Sequence, residues 1–278
     1  MRRLLTIFIV AVGSVVSFAP AWAQTGTAPS GAANPNTANP AQATKRTCLV
    51  PKELGRFAAP LPNLTHTVAA TGGIHIIALG SSSTAGSGAS SQLASYPARL
   101  DAELDRRFPR KDFIVTNYGT GGQLARDMLT RIREDVLLQK PALVIWQTGV
   151  NDAVQDVGVE TFQETLQTGI RELKAASIDV VLVDMQFYPR SERVAVYGDY
   201  LKAMRVVAEG QNIPLFGRFA IMKHLVKTGQ YTTSQLLAPD NFHLNDLSYG
   251  CLADLLADAI EEQVKSAMRT AGPPALLR

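Results

Sequence analysis

From Gly73 onward, short apolar runs rich in β-branched residues alternate with stretches of helical period, and this alternation constrains the fold more than any other feature. Ile74-His75-Ile76-Ile77-Ala78-Leu79 reads as a buried strand, bounded by Gly-Gly before it and a Gly/Ser loop after it. Tyr96 to Phe108 then carries Leu100, Leu104 and Phe108 on one face at the i, i+4 spacing of a helix. Phe113-Ile114-Val115-Thr116 is a second strand, and Leu124 to Leu138 a second helix that Pro141 closes off. Leu143-Val144-Ile145-Trp146 is a third strand, followed by a helix from Val159 to Ala175. Val180-Val181-Leu182-Val183 is a fourth, Tyr200 to Glu209 begins another helix, and Ile213-Pro214-Leu215-Phe216 forms a short fifth strand. The last helix runs from about Ser248 to Met268. Strands without polar alternation, each followed by a helix, predict an α/β fold: three layers, α/β/α, around a central parallel sheet. No internal repeat interrupts the pattern.

That prediction bears directly on function, because open parallel sheets build their sites beyond the carboxyl ends of the strands. Three polar blocks fall there. Leu79-Gly80-Ser81-Ser82-Ser83-Thr84-Ala85-Gly86 follows the first strand, Asn117-Tyr118-Gly119-Thr120-Gly121-Gly122 the second, and Thr148-Gly149-Val150-Asn151-Asp152 the third. All three therefore open on one rim. A fourth block, Asp240-Asn241-Phe242-His243, sets a carboxylate three residues ahead of an imidazole, after a Pro and before a helical segment. Hydroxyl nucleophiles need such a pair, a His to take the proton and an acid to hold the ring in one tautomer. Taken singly, each block has an ordinary structural reading: a Ser-rich helix cap, a tight glycine loop, an Asn-Asp turn, a loop Asp before a helix.

Together the four blocks, in this order, resemble the SGNH (GDSL-like) hydrolase family, over about Gly73 to Leu256. The resemblance implies a flavodoxin-like fold and a serine esterase. It places the nucleophile at Ser82, the general base at His243 and the orienting acid at Asp240. For the oxyanion it implies the backbone N–H of Ser82, the backbone N–H of Gly122 and the side-chain amide of Asn151. Gly allows close backbone approach, and a neutral amide donates without adding charge beside the imidazole. The family's first block usually reads Gly-Asp-Ser, and here Ser81 stands where the Asp falls. The choice of Ser82 over Ser81 or Ser83 rests on that alignment, and Gly122 over Gly119 and Gly121 on the Asn-x-Gly-x-x-Gly register.

Other chemistries lack their residues. A G-x-S-x-G elbow would need Gly at Thr84, and no Ser is followed three positions later by Lys. The Gly/Ser loop lacks the G-K-[ST] ending of a phosphate-binding loop, and Gly86-Ser87-Gly88 is no dinucleotide fingerprint. No metal-ligand cluster is visible and no cofactor is expected. Of the 4 histidines, His75 falls inside the first strand, His66 precedes the core, and His224 lies in a helical stretch with Lys223 and Lys227. Gln186 to Tyr200 overhangs the same rim and offers Tyr188 and Arg190 as substrate contacts, or equally a solvated loop with buried aromatic anchors.

Residues 1–23 read as a signal peptide: Arg2 and Arg3, an apolar run from Leu4 to Phe18, and Ala21-Trp22-Ala23 before a cut at Gln24. An uncleaved anchor is the lesser reading, and no stable membrane span is expected after cleavage. Residues 24–47 are rich in Ala, Pro, Asn and Thr and read as a flexible tether, with residues 48–278 as the folded domain. Without Arg2 and Arg3 there are 27 − 2 basic against 24 acidic residues, a balance of +1 that does not favour nucleic acid. The 2 cysteines, Cys48 and Cys251, read as a disulfide of an exported protein or as two thiols. A periplasmic or secreted esterase implies a small-molecule or glycan ester as substrate, with deacetylation of a polysaccharide or glycoconjugate first. The alternatives are a lysophospholipase- or thioesterase-like enzyme, an acyltransferase, or a non-catalytic carbohydrate-binding protein.

Overall fold

A computed structural model describes residues 48–70 and 73–270. The expected signal peptide and tether lie outside the described residues. In chain order the elements are α1 (Pro62–Ala70), β1 (Gly73–Gly80), α2 (Ser82–Ala85), α3 (Tyr96–Arg107), β2 (Asp112–Gly119) and α4 (Ala125–Asp135). Then come β3 (Leu143–Gln147), α5 (Val150–Gln155), α6 (Val159–Ala175), β4 (Asp179–Val183) and α7 (Tyr197–Gln211). The chain continues with β5 (Leu215–Phe216), α8 (Arg218–Lys227), α9 (Thr233–Leu236) and α10 (Asp246–Thr270).

The five strands form one sheet in the order β2-β1-β3-β4-β5, and every neighbouring pair is parallel. The chain steps from β1 to one side for β2, then crosses back to the other side for β3 and onward. Right-handed crossovers in opposite directions send the connecting helices to opposite faces. Accordingly α3 packs on α10 with α1 alongside, whereas α4, α6 and α7 pack on one another. The expected three-layer α/β/α architecture is the one found. Buried β-branched and aliphatic side chains of β1, β3 and β4, with Trp146 among them, form the centre of the core.

The edge strand differs from expectation. Along β2 only Phe113 is buried and Ile114 is half-exposed, and among the described residues no strand pairs with its outer side. Two of its backbone N–H groups turn instead to carboxylates of α3. Val115 donates to Asp101 at 2.7 Å and Phe113 to Asp105 at 3.4 Å, so side chains cover part of an edge that would otherwise invite another strand. On the opposite flank Arg107 fastens α3 to α10 through Asp254, Asp258 and Glu261.

Register brings the strand ends level. Gly80 of β1 pairs with Gly119 of β2 on one side and Gln147 of β3 on the other, and Gln147 with Val183 of β4. Between β1 and β3 the strand order reverses, which is where open α/β sheets form their crevice. Cys48 and Cys251 lie with Cα atoms 5.7 Å apart, inside the range a disulfide spans, and are joined. The bond fastens the segment entering the domain to α10.

Candidate active site

Ser82 opens α2, two residues beyond the end of β1 and beside the crevice. The first N–H groups of a helix have no intrahelical acceptor, so this position combines a hydroxyl with free backbone donors. Burial and bonding separate the three consecutive serines. Ser81 is 1% exposed, and its N–H and Oγ both donate to Gln147 Oε1 at 3.2 Å. Ser83 is also 1% exposed. Ser82, at 9%, faces His243, with Oγ and Nε2 2.9 Å apart.

His243 rises from a tight turn that Asp240 caps from within. Asp240 Oδ1 accepts the N–H of Phe242 at 2.9 Å and of His243 at 3.0 Å. Its Oδ2 lies 2.6 Å from His243 Nδ1. One carboxylate thus shapes the turn and holds the ring, which is why the spacing of three residues matters. Partial burial alone would raise the Asp240 pKa, but the hydrogen bond from His243, the two N–H donors and the imidazole charge together hold it below the usual range. An ionised Asp240 can only accept, so Nδ1 carries the proton and Nε2 is left to accept from the Ser82 hydroxyl. The turn closes with Ala238 N–H donating to His243 O at 2.8 Å, and Asn241 takes the left-handed region at φ 55°.

The second block packs against the first at backbone distance. Asn117 Nδ2 donates to Thr84 O at 2.8 Å, at the end of α2, while its Oδ1 accepts from Gly119 N at 2.8 Å. A Cβ on Gly119 would lie 2.0 Å from Ala85 N, so only glycine admits this approach. Gly122 sits further along at φ 78°, in the left-handed region. Asn151 is the second residue of α5 rather than a turn residue, because Gly149 at φ 99° reverses the chain and starts a helix. Its Nδ2 donates to Gln123 O at 2.8 Å, next to Gly122. The structure therefore brings Ser82, His243 and Asp240 into one hydrogen-bonded chain, and links Asn151 to the loop that carries Gly122.

Tyr188 and Arg190 part company. Tyr188 is 5% exposed, packed edge-on against Phe242 at 5.0 Å and Tyr197 at 5.8 Å, so its ring is an anchor rather than a stacking platform. Arg190 is exposed. Phe242 in turn meets the His243 ring edge-on at 4.9 Å, so the Tyr188 anchor steadies the imidazole through one intermediate ring.

Several residues that organise the site belong to none of the four blocks or carry no local mark of their role. Gln147 Oε1 also accepts from Thr84 Oγ1 at 3.1 Å, locking α2 to β3. Asp152 accepts the Ala125 N–H with both oxygens, at 3.0 and 3.3 Å, and so caps α4; its pKa is raised by burial despite these donors. Arg131 donates to Tyr118 O at 2.7 Å, Gln123 Oε1 at 2.8 Å and Gly80 O at 3.3 Å, tying the ends of β1 and β2 to the Gly122 loop. Arg218, 1% exposed, donates to Asp184 O at 2.9 Å and Gln186 Oε1 at 3.0 Å, and Gln186 reaches Phe242 O at 3.4 Å. One signal does point to some of them: Gln147, Asp184 and Gln186 are polar residues at the ends of apolar strand runs.

A family model described as the non-GDSL lipase-like family matches residues 47–266. An acetylxylan esterase from Geobacillus stearothermophilus is 24% identical over 146 residues, 48% of this chain and 67% of that one. A solved two-domain esterase active on acetylated mannans, co-crystallised with mannopentaose, is similar at TM-score 0.68 and 23% identity. That likeness covers 78% of this chain and 58% of the esterase, so this chain spans little more than half its length. A lipase/acylhydrolase from Enterococcus faecalis is similar at TM-score 0.57 and 24% identity, over 68% of this chain and 96% of that one. At these identities the likenesses to solved structures speak to the fold.

Proposed function

Because this chain belongs to the non-GDSL lipase-like family, we propose that it is a serine ester hydrolase of the SGNH type acting on an acetylated glycan. The observation that carries the reading is the chain Ser82 Oγ, His243 Nε2, His243 Nδ1, Asp240 Oδ2, linked at 2.9 and 2.6 Å. In this reading Ser82 Oγ attacks the ester carbonyl while His243 Nε2 takes its proton, and the same proton then goes to the departing alkoxide. An acyl-serine remains. Water, deprotonated by His243, attacks it and restores Ser82. Negative charge on the tetrahedral oxygen is met by the N–H groups of Ser82 and Gly122 and the amide of Asn151. Asp240 stabilises the imidazolium through Nδ1 without taking its proton.

The choice of a glycan is supported by two similar proteins, one an acetylxylan esterase and one an esterase active on acetylated mannans. Export is part of the proposal, supported by the leader-like residues 1–23 and by the disulfide, which favours an oxidising compartment. Hydrolysis of p-nitrophenyl acetate and of acetylated xylo- and manno-oligosaccharides by the parent, Ser82→Ala and Ser83→Ala tests the reading. Loss of a nucleophile should lower kcat at least about a thousandfold. Ser82→Ala should lose that much and Ser83→Ala should not; a Ser82→Ala protein that still turns over ester sinks the assignment.

A further inference from the structure

We propose that the cleft beside Asp240 is the binding site for the glycan moiety of the ester, with Arg190 its recognition group; this rests on the esterase reading above. The cleft holds about 480 Å³, within the range of small-molecule sites. Its walls come from three segments that all lie beyond the carboxyl ends of the strands: Val154 of α5, Tyr188 and Arg190 after β4, and Asp240, Asn241 and Phe242 of the His243 turn. Two surface grooves elsewhere, one at Val159, Gln163 and Lys202 and one at Val50, Arg56 and Leu255, include no residue of the Asp240–His243 turn.

Position ties the cleft to the reacting atoms. Val154 stands three residues after Asn151, on the same face of α5 one turn on, and Asp240 is the carboxylate that holds His243. Phe242, which lines the cleft, meets the His243 ring edge-on at 4.9 Å, so a group bound here lies against the two residues that hold the imidazole.

Chemistry selects the occupant. Val154 is 54% exposed although apolar, and Phe242 adds a partly buried ring, so the lining offers carbon to a ligand. It also carries a carboxylate, an amide and a guanidinium. Arg190 meets no carboxylate among the described residues, so its donors are available to a ligand. A fatty acyl chain here would strip water from Arg190, Asn241 and Asp240 and return nothing to them. A sugar ring presents hydroxyls to those groups and a C–H face to Val154 and Phe242. The walls carry one cation and one anion, which matches a neutral glycan better than a phosphate headgroup.

The test compares the parent with Arg190→Ala, Val154→Trp and Tyr188→Phe on acetylated xylo- and manno-oligosaccharides, p-nitrophenyl acetate and p-nitrophenyl octanoate. Arg190 and Val154 are surface positions, so the variants should fold, which circular dichroism checks. Loss of one or two hydrogen bonds corresponds to about tenfold. The ratio of kcat/KM for oligosaccharide over p-nitrophenyl acetate should therefore fall about tenfold in Arg190→Ala, and at least as far in Val154→Trp, which fills the cleft. An unchanged ratio overturns the proposal. So does a selective loss on octanoate, which would make the cleft an acyl channel. A parent that cleaves no ester overturns the esterase reading instead. Calorimetric titration with the deacetylated oligosaccharides then decides the cleft alone, by binding that Arg190→Ala weakens or by no binding at all.

Discussion

Replacing Gly119 by Ala should damage both stability and activity from a single added methyl group. An ideal Cβ at this position would lie 2.0 Å from Ala85 N, 2.5 Å from Thr84 C and 2.6 Å from Ala85 Cα. All three atoms are backbone, so no side chain can swing away. Ordinary contact begins near 3.4 Å, which requires the end of β2 and α2 to separate by about 1.4 Å. Overpacking of this kind costs about 1–3 kcal/mol, and the upper end applies where neither partner can yield. In a domain of this size about 3 kcal/mol corresponds to a drop in Tm of about 6–12 °C. Activity should suffer more, because α2 carries Ser82. The displacement would also break the Asn117 to Thr84 hydrogen bond that holds the end of α2. A 1 Å misplacement of a reacting group can cost about a hundredfold in rate. The assays are urea and thermal unfolding beside kcat/KM for p-nitrophenyl acetate, with Gly121→Ala as the control, since a Cβ there meets nothing within 4 Å. A Gly119→Ala protein that unfolds within about 0.5 kcal/mol of the parent and keeps its activity would refute the claim that backbone proximity positions Ser82.

Two further perturbations probe the frame around the site. Buried Asp184 has its pKa pushed up to about 7 by burial, against the opposing pull of the Phe219 N–H and the Arg218 charge. Its folded value thus lies above the ordinary 3.8, so the folded chain binds this proton more tightly. The resulting stability is present at low pH and lost as pH rises through about 7. Asp184→Asn keeps an oxygen for Phe219 N and removes the titration. The gap in unfolding free energy, parent minus variant, should therefore shrink in urea titrations from pH 5 to about pH 7 and level off above it, and a gap that stays constant between pH 5 and pH 7 would contradict the assignment. Cys48→Ser should cost about 2–5 kcal/mol, since the bond closes a sequence separation of 203 residues. The same loss should follow reduction of the parent by dithiothreitol; unfolding midpoints that do not move would show that the bridge carries no stability.

How far this molecule can be read from its sequence depends on where each residue finds its partner. Buried parallel strands cannot alternate polar and apolar residues, so β1, β3 and β4 stand out as uninterrupted apolar runs, and the helices between them as periodic ones. The Asp240 to His243 turn is legible for a related reason: the acid, the ring and the two N–H groups it caps all lie within four consecutive residues. Where the partner is distant, nothing local marks it. Helix α1 has no clear signature because it buries only Leu64 and Val68, and the Leu64 N–H at its start is bonded by Asp179, 115 positions away. The three serines look equivalent in sequence because Gln147, which engages the Ser81 hydroxyl, lies 66 positions downstream. Asn151 looks like a turn residue because the positive φ that launches α5 belongs to Gly149 and shows only in three dimensions. Still, these distant partners share a place in the chain. Gln147 ends the apolar run of β3, and Asp184 and Gln186 follow closely on that of β4. A polar side chain at that position stands where the sheet stops and the crevice begins, with its backbone committed to the ladder and its head group turned to whatever the next loops supply. Gln147 holds α2 there, and Gln186 reaches the carbonyl just before His243. In this sheet the polar residues just past a buried strand are therefore where the groups that hold the rim loops are found, and that position can be read from the sequence.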